Sequence, residues 1–177
     1  MTDSGFSLAE QRVLVTGASS GIGAAIASRL ANAGATVVVV SRSGGVPESK
    51  GTMYSLVADL SEPEETDTVV ERTVDMLGGL DILVNNAGRG DSMPFVDVDR
   101  EYFNAYVGLN LWEPLRLCQH AHDYLVQSSD PSVVMIGSVD SERPSPGSVV
   151  YGATKAALSA ATVALSKEWM TAGIRVN

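Results

Sequence analysis

The stretch Val13–Gly34, VLVTGASSGIGAAIASRLANAG, decides the fold. A β-branched apolar run, Val13-Leu14-Val15, ends abruptly in Thr16-Gly17, and a glycine-rich turn leads into a segment of helical composition that stops at Gly34. Strand, glycine turn and helix start together form a cradle for phosphate. Glycines without Cβ let the backbone approach an anion, and the free N–H groups and positive dipole at a helix start attract it. The spacing is Gly17-x3-Gly21-x-Gly23. Alone it fits either a nucleotide site or a bare tight turn, and the rest of the chain has to decide between them.

Outward from this unit, strands and helices alternate. Short runs rich in Val and Ile at Val13–Thr16, Thr36–Val40, Met53–Ala58, Ile82–Asn85, Val133–Ile136 and Ile174–Val176 read as buried parallel strands. Helices are expected over Ile22–Ala33, Pro63–Leu77, Arg100–Gln127, bent at Pro114, and Tyr151–Thr171. The stretch SRSGGVPESKGT, between the second and third strands, is too short and too rich in Gly and Pro for a multi-turn helix, so a loop is expected there. The acidic run Ser61–Asp67 reads as a solvated helix start, with Ser61 as cap, Glu64 three residues on and Pro63 in the first turn. The pattern predicts one α/β domain over residues 1–177, a Rossmann-like doubly wound parallel sheet.

Composition limits the function. The chain has 177 residues, 45% of them hydrophobic, and a formal charge of −9, which argues against nucleic acid or an anionic membrane as partner. No uninterrupted apolar run approaches the ~18 residues that span a bilayer, and the N-terminus lacks a signal-peptide pattern. The single cysteine, Cys118, excludes an internal disulfide framework, suits a cytoplasmic location and reads as a core residue. His120 and His122, two apart on a helix, point in different directions and make a poor metal pair, so no metal is expected.

Ligands of such sheets lie at the carboxyl ends of the strands. Those ends carry Thr16-Gly17, Ser41-Arg42, Asp59-Leu60, Asn85-Asn86-Ala87-Gly88 and Gly137-Ser138, the small and hydrogen-bonding residues that a flat dinucleotide needs. Thr16 and Asn85 fit either ligand contact or a tie between loops. At the second strand end an acid would bind a ribose 2′-hydroxyl and repel a 2′-phosphate. Ser41 and Arg42 stand there instead, a hydroxyl and a guanidinium suited to phosphate, which points to NADP(H) over NAD(H). In the last third, Tyr151-Gly-Ala-Thr-Lys155 opens a helix with phenol and ammonium on one face. A free phenol has a pKa near ~10, and a neighbouring ammonium brings it toward the working range. Ser138, thirteen residues before Tyr151 and at a strand end, can hydrogen-bond a substrate oxygen beside it.

With these residues in place, the chain resembles the short-chain dehydrogenase/reductase family along essentially its whole length. The matching pieces are TGASSGIG (Thr16–Gly23), Ala58-Asp59, Asn85–Gly88, Asn110, Ser138, YGATK (Tyr151–Lys155) and IRVN (Ile174–Asn177). The resemblance implies hydride transfer between a nicotinamide and a carbonyl or secondary alcohol. Tyr151 is then general acid/base, Ser138 orients the substrate oxygen, and Lys155 binds the nicotinamide ribose. Asn110 holds a water in a proton relay from Lys155. Gly17, Ser19, Ser20, Gly21, Ile22 and Gly23 take the phosphates, Ser41 and Arg42 the 2′-phosphate, Asp59 and Leu60 the adenine edge, and Asn86, Ala87 and Gly88 the adenosine side. One feature frequent in NADP-preferring members, a basic residue before the middle glycine, is replaced by Ser20. Alternatives are an NAD-linked enzyme of the same fold, or a dinucleotide-binding sensor or scaffold that turns over weakly.

Two further expectations concern assembly and extent. Apolar positions surround the helix Tyr151–Thr171 on more than one side, so a homodimer or homotetramer pairing through it and Arg100–Gln127 is expected. IRVN stops inside a sixth strand, where family members continue into a substrate lid, a helix and a last strand. The 177 residues are therefore expected to be a piece of a longer chain that binds the adenosine half of the cofactor but turns over weakly on its own.

Overall fold

The computed structural model describes residues 7–177. Six parallel strands form one sheet in the order β3-β2-β1-β4-β5-β6, where β1 is Arg12–Thr16, β2 Thr36–Ser41, β3 Met53–Val57, β4 Ile82–Asn85, β5 Ser132–Met135 and β6 Arg175–Val176. The chain runs outward from β1 to β3, then returns to the other side of β1 with β4. The strand order thus reverses between β1 and β4, and the crevice beyond their carboxyl ends is where such folds bind ligands.

Alternate residues of β1 face opposite layers. Leu14 packs with Leu83, Val69, Leu117, Leu125 and Leu158, on the side of helices α2 (Pro63–Leu77), α4 (Glu113–Leu125) and α5 (Val149–Glu168). Val13 and Val15 pack with Ala27 and Ala31 of α1 (Gly21–Asn32) on the other side. Fully burying such aliphatic side chains contributes about 1.5–3 kcal/mol each. The carboxylate of Asp81 joins the start of β4 to β1, accepting from the backbone N–H, Nε and Nη2 of Arg12 at 2.8 Å each. Burial pushes the Asp81 carboxyl up, but the hydrogen bonds from Arg12 and Ser128 outweigh it and hold it below the usual carboxylate range.

Most elements fall where the sequence places them, and α2 matches residue for residue. Four differ. β3 is an exposed edge strand, with Tyr54 and Val57 on the surface, because it ends the strand order and pairs with β2 alone. The expected helix Arg100–Gln127 is three pieces: α3 (Arg100–Val107), a wide π-turn over Gly108–Trp112, and α4. Pro114 sits in the first turn of α4, where its missing N–H is tolerated, so the break lies at the π-turn before it. Ser61 does not cap α2. The N-cap is Glu62, without a side-chain bond, while Ser61 donates to Asp59 Oδ1 from both N (2.9 Å) and Oγ (2.6 Å). Finally, the helical segment Val149–Ala172 is long and apolar enough by length and composition to cross a bilayer, which the search for unbroken apolar runs passes over. One side of it packs along β5 and β6 and carries the buried Lys155, while most of its residues are not buried.

Candidate active site

The turn between β1 and α1 depends on two glycines. Gly17 has φ +63°, a conformation L side chains rarely adopt, and a Cβ on it would stand 2.7 Å from Ala87 Cα. A Cβ on Gly23 would meet Asn86 Nδ2 and stand 2.5 Å from the Gly17 carbonyl oxygen. Asn86 fills that space: its Nδ2 donates to the carbonyls of Thr16 (2.9 Å) and Gly17 (3.0 Å). Thr16 Oγ1 accepts from the backbone N–H groups of Asn86 and Ala87, both at 3.0 Å, so Thr16 is a tie between the β1 and β4 ends. Asn85 is also internal, donating to the Pro114 carbonyl at 3.3 Å and lying 3.4 Å from Cys118 Sγ. Burial pushes that thiol up to about 12, which makes it unreactive at neutral pH.

Above this switch point lies a cleft of about 920 Å³. Gly17, Ser19, Ser20, Ser41, Arg42, Asp59, Leu60, Ala87 and Gly88 line it, so most of the residues expected to hold the dinucleotide share one cavity. Gly21 opens α1 with nothing within 4 Å of a would-be Cβ, and Ile22 is exposed beside it. Ser20 is the N-cap residue, its side chain making no capping bond. Ser41 Oγ donates to the Gly44 carbonyl at 3.4 Å. The Asp59 carboxyl is held below the usual range by the Ser61 hydroxyl, against the opposing effect of burial, with a further contribution from Arg42 nearby. Arg89 also lines the cleft, a residue the sequence reading missed although it directly follows Asn85–Gly88.

At the end of β5, Lys155 is buried and its Nζ donates to the Ile136 carbonyl at 2.7 Å. Burial lowers its pKa by disfavouring the charged form. Tyr151 lies one turn earlier on α5 and is half-buried. Ser138 follows Ile136 by two residues in extended backbone, its Oγ accepting from the Asp140 N–H at 3.2 Å. Between them, Gly137 has no atom within 4 Å of a would-be Cβ, so the strand end opens onto free space. Asn110 is fully buried in the π-turn, and its amide is occupied: Oδ1 accepts from Arg89 N and Nδ2 donates to Arg89 O, both at 2.9 Å. Among the described residues no group of three or more His, Cys, Asp or Glu side chains could hold a metal. His120 instead contacts Asp67 Oδ1 at 2.9 Å, and His122 contacts Asp123.

A doubly wound sheet with a glycine cradle at its switch point, and a Tyr/Lys pair beside an open strand end, defines an α/β nucleotide-dependent oxidoreductase. Comparison with known proteins agrees. Residues 11–177 match the family model described as short chain dehydrogenase. An uncharacterized oxidoreductase of Staphylococcus epidermidis is 34% identical over 173 residues, covering 95% of this chain and 75% of the relative. A fatty acyl-CoA reductase of Mycobacterium tuberculosis is 36% identical over 179 residues, covering 94% of this chain and 60% of that protein. A short chain dehydrogenase from Burkholderia cenocepacia, solved in complex with NADP, superposes with a TM-score of 0.87 at 32% identity, covering 96% of this chain and 73% of the other. The chain belongs to the short-chain dehydrogenase/reductase family of NAD(P)-dependent oxidoreductases.

Proposed function

We propose that this protein is an NADP(H)-dependent carbonyl reductase or alcohol dehydrogenase acting on a small carbonyl or secondary alcohol. The observation that carries the reading is the Lys155 ammonium, held on the Ile136 carbonyl one helical turn from Tyr151 and beside the open space at Gly137. A nicotinamide bound there would supply or accept the hydride. Tyr151 then donates or takes the proton at the substrate oxygen, Ser138 Oγ orients that oxygen, and Lys155 holds the ribose hydroxyls. In the proton relay, the π-turn gives Asn110 a defined part. Its amide is committed to the Arg89 backbone, which fixes the residue in the turn that packs against α5, the helix carrying Lys155. Oxidation of NADPH by purified protein with a panel of ketones, aldehydes, acyl thioesters and small diketones tests the assignment. Tight NADPH binding without turnover on any of them would turn the reading toward a sensor.

NADP(H) is preferred here because Ser41 and Arg42 line the cleft at the β2 end, with no acid among the residues of that strand end. The Burkholderia relative, solved with NADP, supports the same choice. Replacing Ser41 by Asp should shift the NADPH-to-NADH preference about tenfold or more toward NADH, through repulsion of the 2′-phosphate. A coenzyme ratio that does not move would remove Ser41 from the specificity site.

The free, buried Cys118 fits a reducing cytoplasm. On α5, Ala153, Ala156, Ala157, Ala160, Val163 and Ala164 are exposed, a small-residue face that allows close helix approach. Pairing through this face, alongside α3 and α4, makes a homodimer or homotetramer. Light scattering at micromolar concentration should give at least twice the monomer mass, and a monomer would overturn the pairing.

A further inference from the structure

We infer that Gly90 sets the width of the substrate slot beside Tyr151, and so determines how bulky an arm of the carbonyl compound can be. A Cβ built on Gly90 would lie 3.6 Å from both Cε2 and Cζ of the Tyr151 ring, in van der Waals contact with the edge that carries the phenol oxygen. Nothing in the backbone demands glycine here, since φ lies outside the left-handed region that Gly17 and Gly147 occupy. The missing side chain therefore leaves space at the reacting end of the ring.

That space belongs to a wall that does not retreat. On one side of Gly90, both backbone groups of Arg89 are bonded to the buried Asn110 amide. The Arg89 guanidinium lies 4.8 Å from the Tyr106 ring centroid and pairs with the Asp91 carboxylate at 3.2 and 3.3 Å. On the other side, the Asp91 carbonyl accepts from the hydroxyls of Tyr106 (2.7 Å) and Tyr102 (3.3 Å). Two residues further, Met93 N donates to the Gly147 carbonyl at 3.0 Å, fastening the wall to the segment that leads into α5. A side chain added at position 90 would thus intrude on the slot, because Arg89 and Asp91 are both held in place.

The inference rests on the reading of Tyr151 as the proton donor, and the test separates the two. Gly90→Ala and Gly90→Val in the full chain should bind NADPH as the unaltered protein does. In Gly90→Val, kcat/KM for a methyl ketone with a tert-butyl arm should fall roughly tenfold or more, while its straight-chain isomer changes by less than about threefold, with Gly90→Ala intermediate. Independently of turnover, tetranitromethane nitrates tyrosine at the Cε carbons, so Gly90→Val should slow nitration of Tyr151 severalfold relative to the exposed Tyr54, as read by peptide mass. Parallel loss for both ketones, or Tyr151 nitration unchanged in Gly90→Val, would overturn the inference. Slowed nitration in a protein that reduces no carbonyl compound would keep the slot and sink the carbonyl-reductase reading instead.

Discussion

Replacing Tyr151 by Phe is expected to lower turnover by about 10²–10⁴-fold, the range that a positioned acid/base group supplies, while leaving NADPH affinity within about twofold. The substitution removes one oxygen and almost no volume, so α5 and its packing persist. Lys155 is anchored through the Ile136 carbonyl and not through the phenol, so its position does not depend on the deleted hydroxyl. Ser138 likewise has its own local partner in the Asp140 N–H. The loss should therefore appear in kcat far more than in cofactor affinity, measured by steady-state NADPH oxidation alongside a fluorescence titration using Trp112 and Trp169. Turnover within about threefold of the unaltered protein would mean that Tyr151 moves no proton in the rate-limiting step.

Gly23→Ala should be nearly as damaging by a different route, weakening dinucleotide binding by about a hundredfold and stability by about 1–3 kcal/mol. The new methyl has no free volume. It meets the Asn86 amide, stands 2.5 Å from the Gly17 carbonyl oxygen and 3.0 Å from Ala18 Cα. Since Asn86 Nδ2 holds the carbonyls of Thr16 and Gly17, displacing it loosens the join between the β1 and β4 ends where the cleft opens. Gly21→Ala is the informative contrast. Its methyl would enter open space, and the cost is confined to the strained backbone at φ +58°, about 1–2 kcal/mol. NADPH titration and urea denaturation of the two variants separate crowding from strain. Binding by Gly23→Ala within about threefold of the unaltered protein would show that the α1 turn is not the phosphate cradle.

Most of what depends on residues close along the chain was legible in the sequence, the cap of α2 excepted, since Ser61 is held by Asp59 instead. The strand–turn–helix unit Val13–Gly34 is read from a short apolar run and its glycines, and α2 ends where Pro63 and the left-handed Gly78 place its limits. The loop over residues 42–52 follows from its Gly and Pro content. Most residues expected at the dinucleotide site do line one cleft, because in a parallel sheet every strand's carboxyl end lies on the same side.

Contacts between distant segments were decided only in the tertiary structure. Parallel pairing is non-local, so no nearby residue announces that β3 is an exposed edge or that β4 returns beside β1. The π-turn at Gly108–Trp112 and Asn110's grip on Arg89 need the β4 and α3 segments in register, which no local pattern encodes. The seat of Arg89 on Tyr106, and Gly90 against the Tyr151 ring, join side chains whose spacing has no period to read. Residue types at strand ends state which chemistry is possible. The packing of loop against helix sets how much room that chemistry has, because close-packed interiors leave free volume only where neighbouring backbones are held apart.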